Sequence, residues 1–144
     1  MAQVLSLHAA ERRQLAAWAC DAYPHEACGL MLGVSEADGV RVLEVRRARN
    51  LNVERARDRY DIDPADYLAA EREATARGCE LVGVWHTHPD HPARPSPTDL
   101  ALAWPGWSYV IAAVTAAGMT ELRAWRLNGG HQFDEESIEE ADPS

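Results

Sequence analysis

Residues Leu81-Val82-Gly83-Val84-Trp85 form a run without a single polar side chain. A strand that is apolar on both faces is stable only where both faces are covered, so this run predicts a central, buried strand. The next residues constrain the chain further. His86-Thr87-His88-Pro89 continues directly from the run. In extended backbone, residues two apart point to the same side, so the two imidazoles face one direction. Pro89 reinforces this, because the residue before a proline is pushed toward extended geometry. The pair therefore stands at the C-terminal end of a buried strand, where a rigid element presents ligands.

The remaining elements arrange themselves around that strand. Residues 7–22 read as a helix, with Leu15, Trp18, Ala19 and Ala22 on one face, Ser6 as N-cap and Pro24 blocking continuation. Ala27 to Gly33 is a short apolar strand with Glu26 at its entrance, and Val40 to Arg47 is a second strand after the Asp38-Gly39 turn. Residues 50–60 are polar, arginine-rich and without period, and read as a loop. Asp63-Pro64-Ala65-Asp66 opens a second helix that buries Tyr67, Ala70 and Ala74 and stops at Gly78. Residues 86–97 contain Pro89, Pro92, Pro95 and Pro97, which makes a stiff loop. A short helix from Pro97 to about Trp104, a buried strand from Ser108 to Val114 and a hairpin of 121–127 with 131–135 complete the order. Strands adjacent in sequence near both ends predict an α/β fold: a mixed, largely antiparallel sheet packed with helices.

Charge divides the chain unevenly. The net charge is −9, yet residues 134–144 hold six acids and no base. The rest carries 17 acids (23 − 6) against 14 arginines, or −3. Residues 1–133 are therefore expected to form the folded domain, and 134–144 an acidic, disordered tail. No basic stripe marks a nucleic-acid surface, and no apolar run reaches the ~20 residues of a membrane helix. The three cysteines, Cys20, Cys28 and Cys79, lack CxxC spacing. A reduced, cytoplasmic chain without a disulfide framework is the expectation.

Asp99 follows His88 by eleven residues, with Ser96 between them. Two histidines, one carboxylate and an open fourth position suit a catalytic zinc ion, which lowers the pKa of its water to ~7. Such a site also needs a base for the water's proton and a donor for the oxyanion. Each part has a structural reading as well. Ser96-Pro97-Thr98-Asp99 is a good helix start, with serine as N-cap, proline at the first position and an acid at the third. Arg55, Arg57 and Arg59, with Tyr60, suit either docking to an acidic surface or a solvated loop.

In full, the spacing His-Thr-His, seven residues, Ser, two residues, Asp matches the JAMM, or MPN+, motif. The segment Pro24-His25-Glu26-Ala27-Cys28-Gly29-Leu30-Met31-Leu32-Gly33 resembles the glutamate-bearing signature that precedes it in the same family. By these residues the chain resembles the JAMM zinc metalloproteases from about residue 4 to 127. The resemblance implies a cytidine-deaminase-like fold. It implies zinc held by His86, His88 and Asp99, Glu26 as general base to the attacking water and then proton donor to the leaving amine, and Ser96 as hydrogen-bond donor to the oxyanion. The chain looks most like the small, stand-alone bacterial type, whose partners are ubiquitin-like sulfur-carrier proteins of the ThiS/MoaD class. Such enzymes hydrolyse the amide after a carrier's C-terminal Gly-Gly, releasing an adduct or processing the carrier. The next predicted strand begins fewer than ten residues after Asp99, which leaves no room for the insertion that lysine-63-type deubiquitinases carry there. A zinc amidase acting on a small substrate, or a catalytically silent scaffold, are the alternatives.

Overall fold

The computed structural model describes residues 3–141. Its elements are β1 (Val4–Leu7), α1 (Ala9–Ala22), β2 (Cys28–Glu36), β3 (Gly39–Ala48), α2 (Pro64–Ala76), β4 (Glu80–Pro89), α3 (Pro97–Leu102), β5 (Ser108–Thr115), β6 (Gly118–Leu127) and β7 (Phe133–Glu140). The strands close into a barrel in the order β1-β3-β2-β4-β5-β6-β7. Four neighbouring pairs are antiparallel, and β1–β3, β1–β7 and β4–β5 are parallel. The mixed, largely antiparallel α/β expectation therefore holds, with closure as the added feature.

Two clusters divide the interior. Leu15 of α1 packs with Leu5, Met31, Val42, Trp85, Val110 and others inside the curled sheet. Ala70 and Ala74 of α2 cover Leu30, Leu32, Val84 and Tyr109 on the opposite face of β2, β4 and β5. This is why Leu81–Trp85 is apolar throughout: one face of β4 meets the α1 side and the other meets α2. Val84 lies on the α2 side and Trp85 on the other, so His86 and His88 emerge on the side of Val84.

Several boundaries differ from the sequence reading. The first helix begins at Ala9, because residues 4–7 form β1, with Leu5 and Leu7 buried. Ser6 is inside that strand, and the N-cap is His8, without a side-chain cap bond. The proline-rich stretch is strand as far as Pro89, since β5 pairs with β4 from Gly83 through Pro89. The third helix stops at Leu102, short of Trp104. The expected disordered tail is corrected over most of its length. Residues 133–140 form β7, which pairs with β6 and with β1, while residues 142–144 lie outside the described residues. Acid content concealed this strand, but its backbone groups satisfy the free edge of β1 whatever the side chains are. The buried Glu136 of β7 is matched by Arg126 at 3.3 Å.

All three cysteines are free, as the sequence implied. Among the described residues no helix is long and apolar enough to cross a membrane.

One position tests the packing of β4 directly. A Cβ on Gly29 would fall 1.9 Å from the Arg46 carbonyl oxygen and 2.4 Å from Trp85 Nε1. Those two atoms are hydrogen-bonded to each other at 2.9 Å, and the Trp85 ring stacks on Trp18. Gly29→Ala is expected to displace Trp85 and to lower stability by about 1–3 kcal/mol, read from the midpoint of urea unfolding.

Candidate metal and catalytic site

The end of β4 is held on both sides. His86 is the register partner of Cys28 in β2 and of Ile111 in β5. Beyond the start of β2, Thr87 N–H donates to the Ala27 carbonyl (3.0 Å) and Ala27 N–H donates to Thr87 Oγ1 (2.9 Å). Thr87 thus spends its side chain on the neighbouring backbone, leaving His86 and His88 on the other face. The same clasp brings Glu26 beside the histidines.

Asp99 arrives from α3. Ser96 Oγ accepts the Asp99 N–H (3.0 Å), and Asp99 Oδ2 accepts the Ser96 N–H (2.8 Å), a complete capping box. The structural reading of Ser96 and Asp99 is therefore correct, and it serves the site. The box fixes the Asp99 carboxylate so that Oδ2 lies 3.1 Å from His88 Nε2 and 3.4 Å from His86 Nε2. The two Nε2 atoms are 3.2 Å apart.

These separations allow a test of fit. Zinc bonds to imidazole nitrogen and carboxylate oxygen are about 2.0–2.1 Å, so the edge of a tetrahedron of such ligands is roughly 3.3–3.4 Å. The three donor atoms already stand close to that spacing, and all three are largely out of solvent. His88 Nδ1 meets the Pro92 carbonyl at 2.9 Å, an outer hydrogen bond that sets the ring with Nε2 toward the cluster. His86 instead stacks on Tyr60, centroids 4.5 Å apart, and its buried Nδ1 has no hydrogen-bond partner among the described residues.

The electrostatics divide the two carboxylates. Burial would raise the pKa of Asp99, but the hydrogen bonds from His86, His88 and the Ser96 N–H hold it well below the usual carboxylate range. Burial lowers the pKa of His86 despite the opposing pull of Asp99. For His88 burial acts in the same sense, but Asp99 and the Pro92 carbonyl outweigh it and the pKa rises. Glu26 lacks such donors. Burial pushes it up to about 8, with His88 opposing and Asp99 adding to the shift. In the metal-free protein, then, one carboxylate is kept ionised and the other is kept protonated to higher pH.

Glu26 is positioned through its backbone. Its N–H donates to the Ala56 carbonyl at 2.5 Å, and its carbonyl accepts from Asn50 Nδ2 at 3.3 Å. Asn50 also reaches the carbonyl of Arg59 and the N–H groups of Asn52 and Asp61. Residues 50–62 are therefore a folded wall of the site, closed by a bridge between Asn50 and Ile62. Arg55 turns back onto Asp58 within that wall. The resulting cleft has a volume of about 310 Å³ and is lined by Glu26, His88, Ser96 and Asp99, with Arg57 and Arg94 among its other walls.

All five residues singled out from the sequence come together here. The sequence reading did not identify Thr87, Asn50, or the carbonyls of Ala56 and Pro92 as their supports. Thr87 had a signal, since the residue between two same-facing histidines must face the opposite side. The others act across long sequence separations or through backbone, and have none.

Two imidazoles and a carboxylate converging at the end of a central strand, with a second carboxylate held apart in the same cleft, are the donor set of a metallohydrolase. The chain belongs to the prokaryotic homologues of the JAB domain, whose family description matches residues 8–128. It is similar to the desampylase of Haloferax volcanii, 30% identical over 116 residues, or 80% of this chain and 78% of that protein. It is likewise similar to the CysO-cysteine peptidase of Mycobacterium tuberculosis, 30% identical over 114 residues, or 78% of this chain and 75% of that one. The solution structure of a protein from Desulfitobacterium hafniense superposes with a TM-score of 0.82 at 30% identity, covering 96% of this chain and 94% of that one.

The raised pKa of Glu26 has a consequence for the metal-free protein. Unfolded, this carboxyl loses its proton near 4.5; folded, it keeps it to about 8. Between those values the folded state binds the extra proton, so this group's contribution makes stability fall as pH rises. Metal-free Glu26→Gln, which cannot ionise, is expected to melt several degrees above the metal-free parent near pH 8. The gap should narrow toward pH 5, as followed by circular dichroism.

Proposed function

We propose that the protein is a zinc-dependent peptidase that hydrolyses the amide after the C-terminal Gly-Gly of a ubiquitin-like sulfur-carrier protein of the ThiS/MoaD class. The observation that carries this reading is the buried Glu26 in one cleft with His88 and Asp99, whose donor atoms converge with that of His86. The names of its relatives, a desampylase and a CysO-cysteine peptidase, support a protein modifier as substrate. We read the helix-covered barrel as the cytidine-deaminase-like architecture that the sequence resemblance implies, working in a reducing cytoplasm.

His86, His88 and Asp99 would hold the zinc. When bound, zinc supplies Lewis acidity, polarising the scissile carbonyl and acidifying water. Glu26 takes the proton of the attacking water and later delivers it to the leaving nitrogen. A carboxylate in the same cleft as the metal ligands is placed for both transfers. Ser96 Oγ already accepts the Asp99 N–H, so its own O–H is left to donate to the carbonyl oxygen as negative charge develops there.

The surroundings fit a folded carrier domain that ends in a Gly-Gly tail. The cleft walls include Pro89 and Pro92, and a glycine pair passes where side chains would collide. A second, apolar groove of about 530 Å³ is lined by Tyr60, which stacks on His86, and by Tyr67, Leu102, Trp104 and Trp107. Leu102 is 63% exposed and Trp104 70% exposed, a large apolar area left open at the surface. Trp104 N–H is fixed to Tyr109 Oη at 2.7 Å, which anchors the loop that carries the indole. This groove gives the carrier domain a place to dock while its tail reaches Glu26.

Incubation with a carrier extended beyond its Gly-Gly, read by intact mass, tests the reaction. The zinc-loaded protein is expected to remove the extension alone. Glu26→Gln and the chelated protein should leave the substrate whole, and turnover by Glu26→Gln at the parent rate would sink the mechanism. Trp104→Ala is expected to raise KM about tenfold with kcat little changed, since it removes docking area and no reacting group.

A further inference from the structure

Three arginines line the cleft, and the reaction above uses none of them. Arg57 and Arg94 both line it together with Glu26 and Asp99. Neither side chain forms an ion pair or a hydrogen bond among the described residues, whereas Arg55 is bound to Asp58, and Arg59 donates to the Asp58 carbonyl. The lining as a whole is balanced, three arginines against Glu26, Asp58 and Asp99; with Arg59 held at Asp58, Arg57 and Arg94 are left available to an incoming anion. Two such cations are too few for a nucleic-acid surface, which requires a basic stripe.

Both arginines are mounted on fixed backbone. Arg57 follows Ala56, whose carbonyl accepts the Glu26 N–H at 2.5 Å. It is thus tied directly to the residue that carries protons. Arg94 follows Ala93, which is fully buried. The Ala93 N–H donates to Glu121 Oε1 (3.1 Å), and its carbonyl accepts from Trp125 Nε1 (3.1 Å). The Arg94 N–H in turn donates to the Pro92 carbonyl (2.8 Å), the same carbonyl that orients His88. Each guanidinium therefore starts from a backbone position that is also used to build the site. That reduces the ordering cost of using it as a ligand.

Resting on the peptidase reading, we propose that Arg57 and Arg94 form a carboxylate clamp for the leaving group. The preferred leaving group is then a single amino acid with its α-carboxylate free, and not a peptide or the side chain of a protein lysine. The chemistry of hydrolysis places the groups. Water's hydroxyl adds to the carrier's carbonyl carbon, the C–N bond breaks, and Glu26 passes the water's proton to the departing nitrogen. The carrier leaves with a new carboxylate and the amine leaves with its own α-carboxylate untouched. In an α-amino acid that carboxylate is two bonds from the nitrogen that Glu26 protonates. A cation that lines the same cleft as Glu26 can therefore meet it. A lysine side chain presents only methylenes there and would leave the arginines without a partner. Guanidinium is the better cation for the role, since its planar fork matches a carboxylate.

The test compares two adducts of one carrier. Both end in Gly-Gly and the same amino acid, one with a free α-carboxylate and the other as its carboxamide. The zinc-loaded protein is expected to cleave the acid with a kcat/KM at least about tenfold above that for the carboxamide. Arg57→Gln and Arg94→Gln should each reduce this ratio, and the double variant should bring it near one. Binding of the two adducts to Glu26→Gln, without turnover, should show the acid held more tightly. Equal cleavage of both adducts by the parent protein overturns the clamp and leaves the peptidase reading standing. A ratio that survives in the double variant overturns the assignment to these arginines. Cleavage of neither adduct overturns the peptidase reading and the clamp with it.

Discussion

Strand β4 is hydrogen-bonded to β2 on one side and to β5 on the other, and this double pairing continues past its apolar run to the histidines. The rest of the site depends on it. A histidine pair on a free loop would sample many orientations. Here the backbone of both residues is part of a ladder, and the intervening Thr87 is clasped to Ala27. The same ladder ends where Glu26 begins, so the register of β2 against β4 fixes the distance between the base and the metal ligands. A slip of one residue would turn both imidazoles to the opposite face.

Grouping these polar side chains in a buried place is costly unless each is matched. Asp99 is matched by two histidines and a backbone N–H, and stays ionised. Glu26 is matched only through its backbone, and its carboxyl is left basic. The asymmetry follows from position. Asp99 sits at the start of a helix, where N–H groups are unpaired. Glu26 lies just ahead of a strand, where the nearest N–H groups are already in use.

Two irregular segments make the walls, and neither is loose. Residues 50–62 are organised by Asn50, which satisfies backbone groups from three parts of the chain. The segment after β4 is organised by Ala93, sunk against Ile111, Ala113 and Trp125 and held at both its N–H and its carbonyl. The first wall contributes Arg57 and Arg59 to the cleft lining, and the second contributes Arg94.

Much of this was legible in the sequence because it is local. The apolar run 81–85 announced a central strand, and alternation put His86 and His88 on one side of it. Ser96-Pro97-Thr98-Asp99 spelled a capped helix start, and its distance from the histidines, with the Glu26 segment upstream, pointed to the family. The strands at the two ends were hidden for physical reasons. Val4–Leu7 is too short to separate from the helix that follows, and the acids of 133–140 mask a strand held by backbone bonds to β1. Closure of the barrel requires both, and it exists only once residues far apart in sequence pair. The partner of each site residue was equally out of reach: Ala56 for Glu26, Pro92 for His88, Tyr60 for His86. So was the fact that Arg57 and Arg94 share one cleft. The sequence determined which groups are present and which way each points along its own element. Only the tertiary structure decided which of them meet, because meeting depends on register and on chain folding over many tens of residues.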